Sequence, residues 1–300
     1  MLRLIPVLCS LLYVSTCPVM SQPEWLVLGI AQDGGIPQAG CQKICCRDKS
    51  EPVYRTALAL TDQASGKWWL FEATPDFREQ LELFASATGR KFPYLPEGIF
   101  ITHAHIGHYT GLMQLGREVM NSRGVKVYTL PRLKEFLSRN GPWSQLLGLG
   151  NIVPIELQDG TELILTPSIR VTPLTVPHRD EFSETAGFRI RTASVRYLFI
   201  PDIDKWSKWS LNIVEEVRAS DQAYLDATFF SAAELPGRDM NEIPHPLVTE
   251  TMSLFSKEPV EVRQRIRLIH LNHSNPLRFD PAVRQQAEAA GYRLAIQAEP

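Results

Sequence analysis

The densest run of metal-ligand residue types is Thr102-His103-Ala104-His105-Ile106-Gly107-His108. His103 and His105 stand two apart, so extended backbone sends both imidazoles to one side. His108 follows where the chain bends toward a helix. Neutral imidazole is the commonest zinc ligand, and three imidazoles converging from a strand end and a helix start could hold a cation. His178 closes a second apolar run, in Thr175-Val176-Pro177-His178, and Asp202 closes a third, in Phe199-Ile200-Pro201-Asp202. A fourth run ends in Ile269-His270-Leu271-Asn272-His273. There His273, just past the apolar residues, is the better ligand candidate, and His270 reads as a residue inside the strand. His245, set between Pro244 and Pro246, is open between a rim position and a structural contact. These positions account for all seven histidines.

The elements that must position these groups are short strands with helices between them. Strands are expected at Trp25–Ala31, Thr56–Thr61, Lys67–Glu72, Gly98–Thr102, Lys126–Tyr128, Ile152–Glu156, Glu162–Thr166, Ile169–Val176, Ala186–Arg191, Arg196–Ile200 and Arg267–Leu271. Helical spacing marks Phe77–Thr88, Leu112–Ser122, Pro131–Asn140, Trp209–Ser220, Leu247–Phe255 and Pro281–Ala290. The pattern implies an α+β single domain, with sheets stacked face to face and helices outside. Trp143, Trp206 and Trp209 are expected in the core, with a pocket lining as the other reading.

Of 300 residues, 44% are hydrophobic and 21% charged, with a formal net charge of −2. That balance argues against a nucleic-acid binder built on a strongly basic surface, and an aromatic content of 9% excludes a disordered chain. Met1–Ser21 has one cation (Arg3), an apolar run Leu4–Val14 and small residues near its end. This is a secretory leader pattern, leaving residues 22–300 as the mature domain in the periplasm or outside the cell. A lipid anchor at Cys17 fits less well because Thr16 precedes it. No later stretch reaches the roughly 20 apolar residues that a membrane span needs. Of five cysteines, the leader would remove Cys9 and Cys17. The odd set Cys41, Cys45 and Cys46 then admits two readings: a structural zinc with an unidentified fourth ligand, or one disulfide from Cys41 plus a free thiol.

The series His103-x-His105-x-x-His108, His178, Asp202 and His273, each following a predicted strand, resembles the metallo-β-lactamase-fold superfamily. The resemblance implies a four-layer αβ/βα sandwich with metals at one edge. It assigns His103, His105 and His178 to one metal, and His108, Asp202 and His273 to a second, with Asp202 bridging. The superfamily pattern carries aspartate where this chain has Gly107; that aspartate is a second-site ligand and orients the attacking water. Asp33, Glu72, Asp204 and Asp226 are the candidate replacements. Ala73-Thr74-Pro75-Asp76-Phe77-Arg78, His108-Tyr109-Thr110-Gly111-Leu112 and the Gly34–Cys46 loop are similar to the pyrroloquinoline-quinone biosynthesis protein B group. That group has lost several metal-site histidines, and this chain keeps them.

What the resemblance implies is a hydrolase, exported by the reading of Met1–Ser21, with one or two Zn2+, iron or manganese being the other metals the donors suit. A hydroxide generated at the metal would attack an ester, lactone, amide or phosphodiester of a small-molecule substrate. Arg179 and Asp33 are candidate substrate contacts. The alternatives are an iron-dependent oxidoreductase of the quinone-pathway type and a non-catalytic metal-binding relative.

Overall fold

The computed structural model describes residues 25–47 and 52–299. The expected leader Met1–Ser21 lies outside the described residues. Two sheets carry the chain in succession. The first has the order β1-β2-β3-β4-β5-β6, from Trp25–Gly29, Ala57–Asp62, Lys67–Phe71, Gly98–Phe100, Val125–Thr129 and Ile152–Glu156. The second runs β13-β12-β11-β10-β9-β8-β7, from Leu163–Thr166 (β7), Ile169–Val176 (β8), Thr185–Arg191 (β9), Arg196–Ile200 (β10), Gln222–Asp226 (β11), Ile266–Ile269 (β12) and Arg293–Leu294 (β13).

Each sheet starts antiparallel and turns parallel. β1, β2 and β3 are antiparallel neighbours, whereas β3, β4, β5 and β6 are parallel. β7 to β10 are antiparallel, and β10 to β13 are parallel. Parallel strands need crossovers, which the helices supply. On the first sheet these are α1 (Phe77–Ala87), α2 (Ile106–Tyr109), α3 (Pro131–Arg139) and α4 (Trp143–Gly148). On the second they are α5 (Ile213–Ala219), α6 (Val248–Leu254), α7 (Val260–Arg263), α8 (Pro276–Phe279) and α9 (Pro281–Ala289).

Alternation along the strands sorts side chains into layers. Trp25, Val27, Leu58, Leu60, Phe71 and Phe100 face Phe188, Phe199 and Tyr224 between the sheets. Their partners on the opposite face, Leu26, Leu28, Ala59, Trp68, Leu70 and Ile99, pack on Phe77, Leu81, Phe84, Leu133 and Leu146 of the helices. The expected sandwich is therefore present.

Besides short elements that the sequence reading did not include (α4, α7, α8 and β13), two differences bear on the centre. Leu112–Ser122 is not a helix; a 3-10 turn covers Thr110–Leu115, because Gly116 leaves the helical region and Asn121 adopts positive φ. β11 went unread, since Gln222-Ala223-Tyr224-Leu225-Asp226 offers only three apolar residues in a run. Trp206 and Trp209 belong to the core, donating from Nε1 to Thr251 Oγ1 and to the Thr175 carbonyl.

The sheets are stitched at one edge. Ala31, after β1, bridges both Arg55 and Leu271, and the Gln32 amide donates to the Leu271 carbonyl. The Ala186 amide donates to the Thr102 carbonyl. These links bring the carboxyl ends of β1, β4, β10, β11 and β12 to one place, the usual ligand position of parallel sheets.

Candidate metal centre

Glu72 organises the first sheet's contribution. It follows β3 with a φ of 76°, an unfavourable region for a non-glycine residue, and is fully buried. Its carboxylate accepts from the Thr102 hydroxyl at 2.6 Å, the Thr102 amide at 3.2 Å and His108 Nδ1 at 3.1 Å. The Thr102 hydroxyl in turn lies 2.8 Å from His103 Nδ1. Both rings are thereby locked with Nε2 pointing inward, away from Glu72 and Thr102, as carboxylates behind metal-bound histidines do. His105 is reversed, with Nε2 facing Glu181 at 3.1 Å and Nδ1 facing inward.

The inward atoms form one group. His105 Nδ1 is 2.7 Å from His103 Nε2 and 3.3 Å from His178 Nε2. Asp202 lies 3.4 Å from His103 and 3.3 Å from His178. Ligands about 2.05 Å from a tetrahedral zinc lie about 3.3 Å from one another, so His103, His105, His178 and Asp202 fit a metal. Beside them, His108 Nε2 is 3.1 Å from Asp33 and 3.7 Å from Asp202, and His270 Nε2 is 3.9 Å from Asp202. Asp33, His108 and His270 form a second potential ligand group, and Asp202 touches both. Asp33 Oδ1, His108 Nε2, Asp202 Oδ1 and His270 Nε2 are buried without a satisfactory hydrogen bond. Buried polar atoms are nearly always paired; four converging orphans mark the place of a cation.

Electrostatics agree. Among the described residues no lysine or arginine is within ion-pair distance of Asp202; five histidines are. Burial alone would raise the Asp202 pKa, but His178, His245 and His270 hold it well below the carboxylate range. Burial, with His108 nearby, pushes His103 well down. His108 moves the opposite way: against burial, Glu72 and Asp33 hold its pKa well above 6.5. Burial brings His270 down to about 4.

Gly107 is resolved by Asp33. A Cβ built on Gly107 would stand 2.0 Å from Asp33 Oδ1 and 2.7 Å from Asp33 Cα. The loop after β1 has moved a carboxylate into the space that the superfamily aspartate's own side chain would fill. Arg55 holds that loop, donating to the Asp33 carbonyl at 2.8 Å and pairing with Asp76 at 2.8 Å. Gly107→Asp alone is therefore expected to destabilise the fold by about 1–3 kcal/mol, the usual range for overpacking. The pair Gly107→Asp with Asp33→Gly should recover both stability and second-site metal. Thermal unfolding and metal content of the three proteins check this; a single mutant as stable and as metal-loaded as the parent would contradict it.

His273 stands elsewhere. Its Nδ1 is 3.6, 3.4 and 3.4 Å from the sulfurs of Cys41, Cys45 and Cys46. With Zn–S near 2.3 Å and Zn–N near 2.05 Å, tetrahedral S···N separations are about 3.6 Å. His273, 227 residues from Cys46, thus stands where a fourth ligand to the three cysteines would be, and all three cysteines are free thiols. His270 takes the place expected of His273 beside Asp202. The reason is local: β12 stops at Ile269, and His270 has a φ of 64°. That left-handed turn carries its ring out of the strand register and onto Thr228, 2.9 Å from Nδ1.

His245 was the other open histidine. The Phe229–Leu247 bridge folds its loop back over the end of β11. Its Nδ1 lies 2.9 Å from Asp226 and 3.2 Å from Asp202. Against burial, these two acids raise its pKa to about 10. Asp226 is thus drawn into the centre. Asp204 is not: it pairs with Lys208 at 2.7 Å. Arg179 is an exposed rim residue, 3.9 Å from Glu181.

Residues 67–270 match the Beta-lactamase superfamily domain, more than half of the chain. The chain belongs to the beta-lactamase superfamily. Within that superfamily it is similar to the coenzyme PQQ synthesis protein B of Rhizobium meliloti, 24% identical over 305 aligned positions that cover 90% of this chain and 94% of that protein. Its fold is similar to that of Zn(2+)-bound PqqB from Methylobacterium extorquens, with a TM-score of 0.75 at 18% identity, covering 92% and 98% of the two chains. It is also similar to a diphosphatase from the PhnP family, with a TM-score of 0.65 at 21% identity, covering 93% and 96%. The superfamily fold expected from the histidine series and the PqqB-like relationship expected from the finer motifs both hold. Among the described residues no helix is long and apolar enough to cross a membrane.

Proposed function

We propose that this chain is a metal-dependent hydrolase. The observation that carries the reading is the joining of two ligand groups through Asp202 beside a histidine held by its own carboxylate, His245 on Asp226. His103, His105, His178 and Asp202 would hold one metal; Asp33, His108, His270 and Asp202 would hold the other. Bound metal supplies an activated water near neutral pH and charge stabilisation for the developing oxyanion. The protein's own groups do the rest. Glu72 and Thr102 fix the ring planes of His103 and His108. Asp226 accepts from His245 Nδ1 and orients the ring, leaving Nε2 with no hydrogen bond among the described residues. Against burial, Asp226 and Asp202 together favour the imidazolium form of His245, so Nε2 carries a second proton that can pass to the departing group, the role of a general acid.

Esters, lactones, amides and phosphodiesters remain the substrate classes, and zinc suits the donor set. Export, supported by the Met1–Ser21 pattern, belongs to this proposal and is checked by cell fractionation.

The full-length likeness to coenzyme PQQ synthesis protein B favours a second reading, an iron-dependent oxidoreductase at the same residues, since histidine and carboxylate suit iron as well. The test uses protein loaded separately with zinc and iron, and a panel of esters, lactones and phosphodiesters. Hydrolysis with zinc is expected. His245→Ala should slow substrates with alkoxide leaving groups by about 10²–10⁴-fold, and p-nitrophenyl substrates far less. Oxygen consumption with iron and no hydrolysis by either form would refute the hydrolase reading.

A further inference from the structure

The open edges of the two sheets, β1 and β13, meet around a cavity of about 420 Å³. Its lining includes Val27, Tyr224, Arg267, Arg284, Arg293 and Glu299. The last segment of the chain closes it, with the Ala298 amide donating to the Val27 carbonyl and the Val27 amide to Glu299. This fissure is separate from the metal centre: Arg267 stands near the start of β12, and His270 follows its other end.

Tyr224, Arg267 and Arg293 are register partners across β11, β12 and β13. Two arginines therefore stand side by side on neighbouring strands, above a buried tyrosine. Among the described residues, neither has a carboxylate within ion-pair distance. Arg284 is already engaged by Glu288 at 3.0 Å, and Glu299 is beyond ion-pair range of both. Arg267 is half-buried, and Arg293 adds to the burial that makes its charge unfavourable. Like charges directly opposite on adjacent strands destabilise a sheet, and removing an unpaired cation from water adds to that cost. One hydrogen bond, from Arg267 Nη1 to the Gln264 carbonyl at 2.7 Å, fixes the guanidinium and leaves its other donors free. Paired N–H donors on planar guanidinium match the oxygens of phosphate and carboxylate.

We propose that the fissure between β1 and β13 is a binding site for a compact oxyanion, a phosphate or carboxylate group, held jointly by Arg267 and Arg293. The anion relieves the repulsion between the two arginines and accepts from both. Nothing in this site depends on the hydrolase reading.

The test is titration calorimetry on the full metal-loaded protein with inorganic phosphate and, separately, succinate, at constant ionic strength set by chloride. At least one probe should bind saturably and raise the unfolding temperature; which one does so tells a phosphate group from a carboxylate. Arg293→Gln and Arg267→Gln should each weaken that binding at least tenfold. Arg293 is exposed, so its variant keeps the test valid if Arg267→Gln folds poorly. In chloride alone, Arg293→Gln should unfold at a temperature no lower than the parent. Binding that persists unchanged in Arg293→Gln, as for phosphate held at the metal centre, would overturn the proposal. So would the absence of binding by either probe.

Discussion

Asp202→Ala is expected to strip the metal centre and lower hydrolysis by on the order of 10³-fold, the scale seen when one preorganised charge-stabilising group is lost. Asp202 is 1% exposed, and its two oxygens face His103, His108, His178, His245 and His270 at 3.2–3.9 Å. Among the described residues, no other carboxylate belongs to both ligand groups. Without it, neither group has its shared anion, and five imidazoles lose a carboxylate contact. Asp202→Asn keeps the shape and loses the charge, so it should lose metal as well. Elemental analysis alongside kcat/KM reads both effects, and circular dichroism confirms that the fold persists. An Asp202→Ala protein with full metal and full activity would show that the centre has been misassigned.

His273→Ala should act through stability. The cysteine group with His273 ties the loop after β1 to the segment after β12. Arg278 adds a hydrogen bond to the Cys45 carbonyl. That loop carries Asp33 and that segment follows His270, so the clamp sits behind two proposed ligands of the second metal. Burial pushes the Cys46 thiol up to about 11, so a cation is needed to keep a thiolate there. Losing such a cross-link should cost roughly 2–5 kcal/mol, comparable to a native disulfide, or about 5–15 °C in unfolding temperature. Chelation at neutral pH should do the same to the parent protein. A His273→Ala protein with unchanged unfolding temperature and unchanged metal content would remove the clamp from the account.

Much of this centre was legible because its ligands follow apolar strands at short range. His103, His105 and His108 fall within six residues, and His178 and Asp202 each close a predicted strand. What the sequence left open depends on long-range or backbone effects. Choosing between His270 and His273 required a φ sign at the end of β12, where an apolar neighbour on each side of His270 argued for a continuing strand. Asp33 reaches the space above Gly107 from a loop 74 positions earlier in the chain, and that needs the Ala31–Leu271 bridge. His273 meets the cysteines only after both sheets are assembled. Asp226 was one of four candidate acids, and nothing singled it out because the short apolar run of β11 carries little periodic signal. The fold class was easier, since alternating short strands and helices admit few packings.

The most direct test of the central claim is a crystal structure with anomalous diffraction measured on either side of the zinc edge. The account predicts metal between His103, His105, His178 and Asp202, and a second metal bound by Asp33, His108, His270 and Asp202. A third peak should lie between Cys41, Cys45, Cys46 and His273. Asp33 turned away from His108, or His273 found in the histidine centre in place of His270, would contradict it.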